Sequence, residues 1–382
     1  MTRRVTLITE IIAPYRIPVF NALARQAGVE LRVIFLAETD TSLRKWKVYT
    51  EEICFSYEVL PSWRCWGGKN GLLVNRGLSS ALRRANPQTI ICGGYNYPAS
   101  WVARNWARRR DVRFVLWSES NAQDQRVERS GVEWLKRKFV KGCDGFVVPG
   151  KSAAAYLQRL GACERDIFVA PNAVDNEFFS ARAAEVRADD HGYRQSRGLP
   201  LRFILCSARL IQEKGVFDLL AAYAKLDEGI RSEVALVFAG DGSEEGRLKA
   251  QSELVRPGMV LFPGFVQREE LAILYALAEF MILPTHSDPW GLVVNEAMAC
   301  GLPVIVSSVA GCAADLVEDG WNGYVVSPRD PETLSLKVDT LLRNHQLRQT
   351  MSAHSLERIQ NYSPGACAAG LAACSISGGE QD

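Results

Sequence analysis

Residues 286–308 read HSDPWGLVVNEAMACGLPVIVSS. Asp288 followed by Pro289 has the form of a helix N-cap with a proline in the first turn. Leu292, Val293, Glu296 and Met298 continue the helix, and Cys300-Gly301 supplies a C-terminal stop. The run GLPVIVSS that follows is short, continuous and β-branched, the pattern of a parallel strand covered on both faces. The stretch predicts a helix leading into a buried strand, with two carboxylates, Asp288 and Glu296, eight residues apart.

The same alternation runs through the whole chain. VTLITE, LRVIFL, TIICGG, RFVLW, GFVVP and DIFVA read as buried strands in the first half, and LRFILC, EVALVFAG, MVLFPG, FMILP, GLPVIVSS and GYVV in the second. Between them lie amphipathic stretches such as RIPVFNALARQAG, GVFDLLAAYAKL and REELAILYALAE. Repeated strand–helix alternation predicts a doubly wound α/β architecture. Residues 176–199 are polar and hold no strand-like run, so they read as a linker between domains at 1–175 and 200–360. Residues 361–382 are left as a C-terminal tail, free to cross back to the first domain.

At 382 residues, 47% hydrophobic and 23% charged, the chain is globular and has material for two cores. No run of 18 apolar residues exists to span a membrane as a helix. The opening MTRRVTLITEIIAPYRIP breaks at Glu10 and Pro14 and reads as a first strand and loop, not as a secretory signal. The ten cysteines show no C-x-x-C pair and no metal-ligand spacing, and Cys92, Cys206 and Cys300 lie in apolar stretches that suit buried thiols. A cytoplasmic protein without structural metal is expected. The net charge of +2 hides an asymmetry: residues 1–175 hold 27 Lys and Arg against 16 Asp and Glu, and residues 176–382 hold 18 against 27. Seven of the nine tryptophans also fall in the basic part, which suggests two domains that meet different surfaces.

Ligands of open parallel sheets bind at the carboxyl ends of the strands. That rule singles out Pro14-Tyr15-Arg16, Gly93-Gly94-Tyr95, Ser118-Glu119-Ser120, Arg209 to Lys214, Gly240-Asp241-Gly242, Gly264-Phe265-Val266 and the 286–308 stretch. Gly145 to Ser152 matches the letters of a phosphate-binding P-loop, but Phe146 to Pro149 are themselves strand, so a strand and a helix from Ser152 are predicted instead. Gly240-Asp241-Gly242 begins like a dinucleotide fingerprint, yet Glu245 stands where the third glycine belongs. A tight glycine turn beside a ligand remains. Arg209 and Lys214 could grip a diphosphate at their strand end, or be two solvated charges. Helical amides at Gly291, Leu292, Val293 and Val294 would form an anion site. Eight helical residues separate Asp288 and Glu296 by about 12 Å along the axis. That exceeds the roughly 5–9.5 Å of a hydrolase carboxyl pair. The spacing fits two ends of an elongated ligand, or simply a cap and one polar helix residue.

Five segments decide between these readings. SARLIQEKGVFDLL, VFAGDGSEEGRL, VLFPGFV, THSDPWGLVVNEAMACGLPVIVSSVAG and DLVEDGWNGYVV resemble, in order and spacing, the second domain of glycosyltransferase family 4, also called group 1. The resemblance covers about 200–330, with PNAVD (171–175) beside it; residues 1–170 are similar in architecture alone. It implies a GT-B fold, two Rossmann-like domains around a cleft, and retaining, metal-independent transfer of a sugar from a nucleotide-sugar. On these motifs Arg209 and Lys214 match the family's diphosphate-binding cations, and Asp288 and Glu296 the two ends of its E-x(7)-E motif. The first acid is expected at the donor-sugar hydroxyls and the second at the ribose, with Phe265-Val266 bordering the base and Gly240-Asp241 nearby.

The chain departs from the family pattern in three places. Asp288 is one methylene shorter than the usual Glu. Ala13-Pro14-Tyr15-Arg16 stands where a Gly-Gly phosphate loop is usual. No histidine precedes His191, so the first-domain histidine of many relatives is missing, and Glu119 and Ser118 are the positional candidates for its place.

The acceptor is expected on the first domain, near Tyr15, Arg16, Gly94, Tyr95 and Ser118. Clusters such as Arg44-Lys45-Trp46-Lys47, Trp63 to Trp66, Trp101 to Arg110 and Lys136 to Lys138 mix cations with aromatics. They suit a lipid-linked or saccharide acceptor at the inner face of a membrane, or ordinary solvated helices. No nucleic-acid motif accompanies them. A non-catalytic GT-B binding subunit, and an epimerase or hydrolase on the same fold, are the rival readings.

Overall fold

The computed structural model describes residues 2–39, 45–65, 72–121 and 130–376. They divide into two compact units. One takes the chain as far as Val174 and resumes at Ser363; the other is Asp175–Tyr362.

The strands of the first unit are β1 (Arg3–Thr9), β2 (Val29–Phe35), β3 (Ser56–Val59), β4 (Ser62–Cys65), β5 (Leu72–Asn75), β6 (Thr89–Gly93), β7 (Arg113–Trp117), β8 (Gly145–Val148) and β9 (Ile167–Val169). Seven of them form one sheet in the order β3-β2-β1-β6-β7-β8-β9, every neighbouring pair parallel. β4 and β5 make a separate antiparallel hairpin. Alternate strand residues serve opposite faces. Leu7, Val33, Ile91, Val115 and Val147 enter one core, and Ile8, Ile34, Ile90, Phe114 and Phe146 the other. Two buried faces explain why these strands are continuously apolar. The helix Pro364–Ile376 belongs to this unit: Cys367, Ala368, Leu371 and Cys374 are buried in the first core, and Thr89 Oγ1 donates to Ser375 O at 3.1 Å.

The second unit holds β10 (Phe203–Ser207), β11 (Ala235–Ala239), β12 (Val260–Gly264), β13 (Met281–Leu283), β14 (Val304–Ser307) and β15 (Gly323–Val326). They form a parallel sheet in the order β12-β11-β10-β13-β14-β15.

Residues 176–199 are not a linker. They fold as two helices, Asn176–Ala188 and Asp190–Arg197, inside the second unit. Asp175 caps the first by accepting from Phe178 N, and Asp189 caps the second by accepting from Gly192 N. Phe179, Ala183 and Val186 are buried, while Arg187 ties the helix down by donating to Ala276 O at 3.0 Å and Cys300 O at 2.7 Å. The polar composition concealed a narrow apolar stripe.

Candidate functional site

The strand order of the second sheet reverses between β10 and β13, and a doubly wound sheet binds its ligand outside the strand ends at such a point. Here the loop after β10 meets the loop after β13. Lys214 Nζ donates to Asp288 Oδ2 at 2.6 Å and lies 3.3 Å from Ser287 O. The two side chains are 12% and 17% exposed, so the pair is largely withdrawn from water without being sealed off. Two of the three ammonium N–H groups are thereby directed, and one remains for a ligand. Asp288 Oδ1 accepts from Trp290 N at 3.1 Å, which fixes the carboxylate against its own loop. The loop after β14 supports this from below: Gly311 N donates to Asp288 O, and Cys312 N to Trp290 O, both at 3.0 Å. A Cβ at Gly311 would lie 1.8 Å from Pro289 O, so only glycine admits this approach.

The loop after β11 closes the other side. Leu210 N donates to Asp241 O at 2.7 Å and Glu244 N to Leu210 O at 2.9 Å. Gly240 has φ +144, and a Cβ there would lie 1.9 Å from Ala208 O. Gly240-Asp241-Gly242 is therefore a close-packing turn against the β10 loop, as the failed fingerprint suggested. Arg209 stands exposed on that β10 loop and makes no ion pair with any described residue. Phe265 and Val266 follow β12, with Phe265 39% exposed. All these strand-end residues belong to one unit and one edge of its sheet.

The helix expected from Asp288 begins later, at Leu292–Ala299, with Gly291 at the N-cap in a left-handed conformation (φ +96). Asp288 is therefore not the N-cap, and the helical rise from Asp288 to Glu296 does not apply, because Asp288 to Gly291 are loop. Four N–H groups precede the helical ladder. Val294 N is already bonded to Gly291 O at 2.9 Å, so the expected anion site is reduced to the Gly291, Leu292 and Val293 amides. Glu296 projects from this helix and accepts from Tyr275 Oη at 2.9 Å. Burial pushes its carboxyl up to about 7, against the Tyr275 hydrogen bond, which favours the charged form.

Two side chains in this constellation escaped the sequence reading. His286 Nε2 lies 2.6 Å from Asp218 Oδ2, and the buried Tyr275 holds Glu296. Neither pairing has a sequence signal, since the partners are 68 and 21 residues apart.

The first unit has its own switch point, between β1 and β6. Arg16, after β1, forms an ion pair with Glu119, after β7, and lies 4.1 Å from the Trp117 ring and 5.4 Å from the Tyr15 ring. Gly94 has φ +88 and donates to Trp117 O at 2.9 Å. Tyr95 Oη and Ser120 Oγ are 3.3 Å apart. Ser118 is buried, and its hydroxyl has no partner among the described residues. Glu119 is thus engaged by Arg16, and Tyr15, Arg16, Gly94, Tyr95 and Ser118, the residues expected on the acceptor side, gather at one strand-end region. Of the mixed basic and aromatic clusters, Arg44 and Trp66 lie outside the described residues.

Known proteins fit this geometry. Residues 193–358 match the family model for glycosyl transferases group 1, and residues 20–178 that for glycosyltransferase family 4. A D-inositol 3-phosphate glycosyltransferase of Xylanimonas cellulosilytica is 30% identical over 274 residues, 67% of this chain and 63% of that protein. An uncharacterised glycosyltransferase of Methanocaldococcus jannaschii is 35% identical over 149 residues, 39% and 37% of the two chains. The chain spans less than two thirds of the length of these curated relatives. Among solved structures, Anabaena HepE in complex with UDP superposes with a TM-score of 0.75 at 18% identity, over 99% of this chain and 100% of that one. The fold is GT-B, and the chain belongs to the family 4, group 1 glycosyltransferases.

Proposed function

We propose that the protein is a retaining glycosyltransferase that moves a sugar from a nucleoside-diphosphate sugar to a hydroxyl acceptor in cell-surface polysaccharide or glycolipid synthesis. The observation that carries this is the Lys214–Asp288 pair at the switch point of the second sheet: a cation for the diphosphate fixed beside a carboxylate for the sugar. Solved HepE structures hold UDP and UDP-glucose, which supports a donor of that class.

In this reading Asp288 accepts from donor-sugar hydroxyls, Glu296 from the ribose, and Phe265-Val266 border the base. The leaving diphosphate gains charge as the anomeric C–O bond breaks. Lys214, the exposed Arg209 and the Gly291, Leu292 and Val293 amides stand ready to stabilise that charge, so catalysis is electrostatic and needs no metal. The departing phosphate takes the acceptor proton, and the sugar keeps its anomeric configuration. Arg16, Tyr95, Ser118 and Glu119 serve a lipid-linked or saccharide acceptor on the first unit. The helix Ser130–Val140 is the surface that meets anionic lipid, placing the enzyme at the cytoplasmic face of a membrane. Val132, Trp134 and Leu135 are exposed there among Lys136, Arg137, Lys138 and Lys141.

A panel of nucleotide-sugars scored by thermal stabilisation identifies the donor, and Asp288→Ala tests the site. The variant is expected to lose more than about 100-fold in transfer while calorimetry shows UDP affinity kept, since one transition-state contact is worth that much. Unchanged turnover would remove Asp288 from the reaction, and a panel without a hit would overturn the donor reading.

A further inference from the structure

The strand-end loop that carries Asp288 is tied to one neighbour, the segment 213–218, by a set of contacts that the donor reading does not use. Glu213 O accepts from His286 N at 2.8 Å and from Thr285 Oγ1 at 3.0 Å. Ser287 N in turn donates to Thr285 Oγ1 at 3.2 Å. Gly215, with φ +66, lets the chain pass so close beneath Pro284 that a Cβ would lie 2.0 Å from Pro284 O. Immediately after it the helix Val216–Ala224 begins, and its first turn carries Asp218. The Asp218 carboxylate receives the His286 imidazole at 2.6 Å, with the two side chains 24% and 15% exposed.

We infer that His286 and Asp218 are a positioning pair for the donor site, a side-chain clamp that sets where Asp288 stands relative to Lys214. The inference rests on the donor-site reading given above. Its logic is one of leverage. Lys214 lies two residues before the helix Val216–Ala224, and Asp288 two residues after His286. The His286–Asp218 contact therefore joins the same two segments a second time, beside the Lys214–Asp288 pair in sequence. The bonds at Glu213 O fix the height of the loop over the helix, and Gly311 N holds Asp288 O from the β14 side, but the His286-Ser287 segment between these attachments keeps freedom to rock. A further attachment through the imidazole removes that freedom. With it in place, Asp288 is held by its loop as well as by the ammonium. Lys214 can then turn toward a diphosphate without dragging the carboxylate from the sugar. A carboxylate displaced by about 1 Å can cost on the order of 100-fold in rate.

The test is a double-mutant cycle on His286→Ala and Asp218→Ala, with His286→Gln as the conservative variant. UDP serves as the affinity probe, and turnover is followed with the nucleotide-sugar selected by the thermal panel. Each alanine variant is expected to lower kcat about 10-fold to 100-fold while UDP affinity holds, because the clamp acts on Asp288 and not on the nucleotide. The double variant should be no slower than the slower single one, and His286→Gln, whose amide N–H can still reach Asp218, should recover most of the rate. Losses that multiply in the double variant would overturn the inference, as would kcat at the wild-type level. UDP affinity falling in step with kcat would also overturn it, since that is the signature of a merely loosened unit. Asp288→Ala in the same assay separates the two levels. If it is inactive while His286→Ala is not, the clamp fails and the donor site stands; if it is fully active, the donor site itself fails.

Discussion

The two sheets reverse their strand order in the same way, between β1 and β6 and between β10 and β13, yet the two crevices are made of different material. At the second, main chain lies on main chain: Gly240 against Ala208 O, Gly215 against Pro284 O, Gly311 against Pro289 O. At the first, side chains do the spanning. Arg16 is held between the Trp117 ring and Glu119, and the Tyr95 hydroxyl meets Ser120, while a Cβ at Gly94 would meet nothing within 4 Å. A crevice of backbone presents amides and carbonyls whose places do not depend on rotamers, which suits the diphosphate of the proposed donor. A crevice of side chains can be re-cut one residue at a time, which suits the proposed acceptor.

The largest effect that would break this contrast is steric. Gly311→Ala should destabilise the second unit by more than about 3 kcal/mol, because a methyl cannot share space with a carbonyl oxygen and the loop must move. Gly94→Ala, with only its positive φ to oppose, should cost about 1–2 kcal/mol. Denaturant melts that rank the two variants equally would end the distinction.

Lys214→Ala comes next. UDP binding should weaken by about 1.5–3 kcal/mol, the worth of a charged hydrogen bond, and calorimetry reads it directly. Equal affinity would shift the diphosphate to Arg209 and the amides alone.

Glu296 sharpens the comparison through pH. Its carboxyl is raised to about 7 in the fold, against an ordinary value of 4.5, because burial disfavours the charge. A raised acid pKa stabilises the fold fully below pH 4.5, and that stability is lost as pH rises through about 7. Glu296→Gln should therefore melt like wild type at pH 4 and gain about 1–3 kcal/mol of stability at pH 8. An advantage independent of pH would mean that the carboxyl does not titrate there.

The smallest stability effect is expected at the surface of the first unit. Trp134→Ser should leave stability within about 0.5 kcal/mol and reduce pelleting with anionic liposomes at low salt. Pelleting that is unaffected would remove the helix Ser130–Val140 from the membrane.

All six strands of the second sheet are legible as apolar runs, and the four central ones are buried on both faces, which leaves no polar alternation to confuse with helix. β3 and the β4–β5 hairpin are not: SYEV, SWRC and LLVN are short and half exposed, so burial leaves little pattern in them. The helices at Asn176–Ala188 and Asp190–Arg197 were read as linker because charge outweighed the stripe of Phe179, Ala183 and Val186, although both capping aspartates were in plain view. At the site, strand-end logic brought Arg209, Lys214, Gly240 and Asp288 to one edge. It could not give the helix start. Asp288-Pro289 has the letters of a cap, but Gly291, two residues on, is the one residue that accepts the left-handed turn the entry requires. Partners that meet only in three dimensions, His286 with Asp218 and Tyr275 with Glu296, leave no mark in a single sequence.

The chain quits its first unit at Val174 and returns at Ser363, and the returning helix fills one face of the first core. During synthesis on a ribosome this imposes an order. All the strands of the first sheet emerge early, but the face that Cys367, Ala368, Leu371 and Cys374 will cover stays bare until the whole of Asp175–Tyr362 has been made. At ordinary elongation rates that is a delay on the order of 10–40 s. The second unit, continuous in sequence, can close while the first still waits. A nascent chain stalled within it exposes an unfinished apolar surface, the kind of surface that chaperones bind.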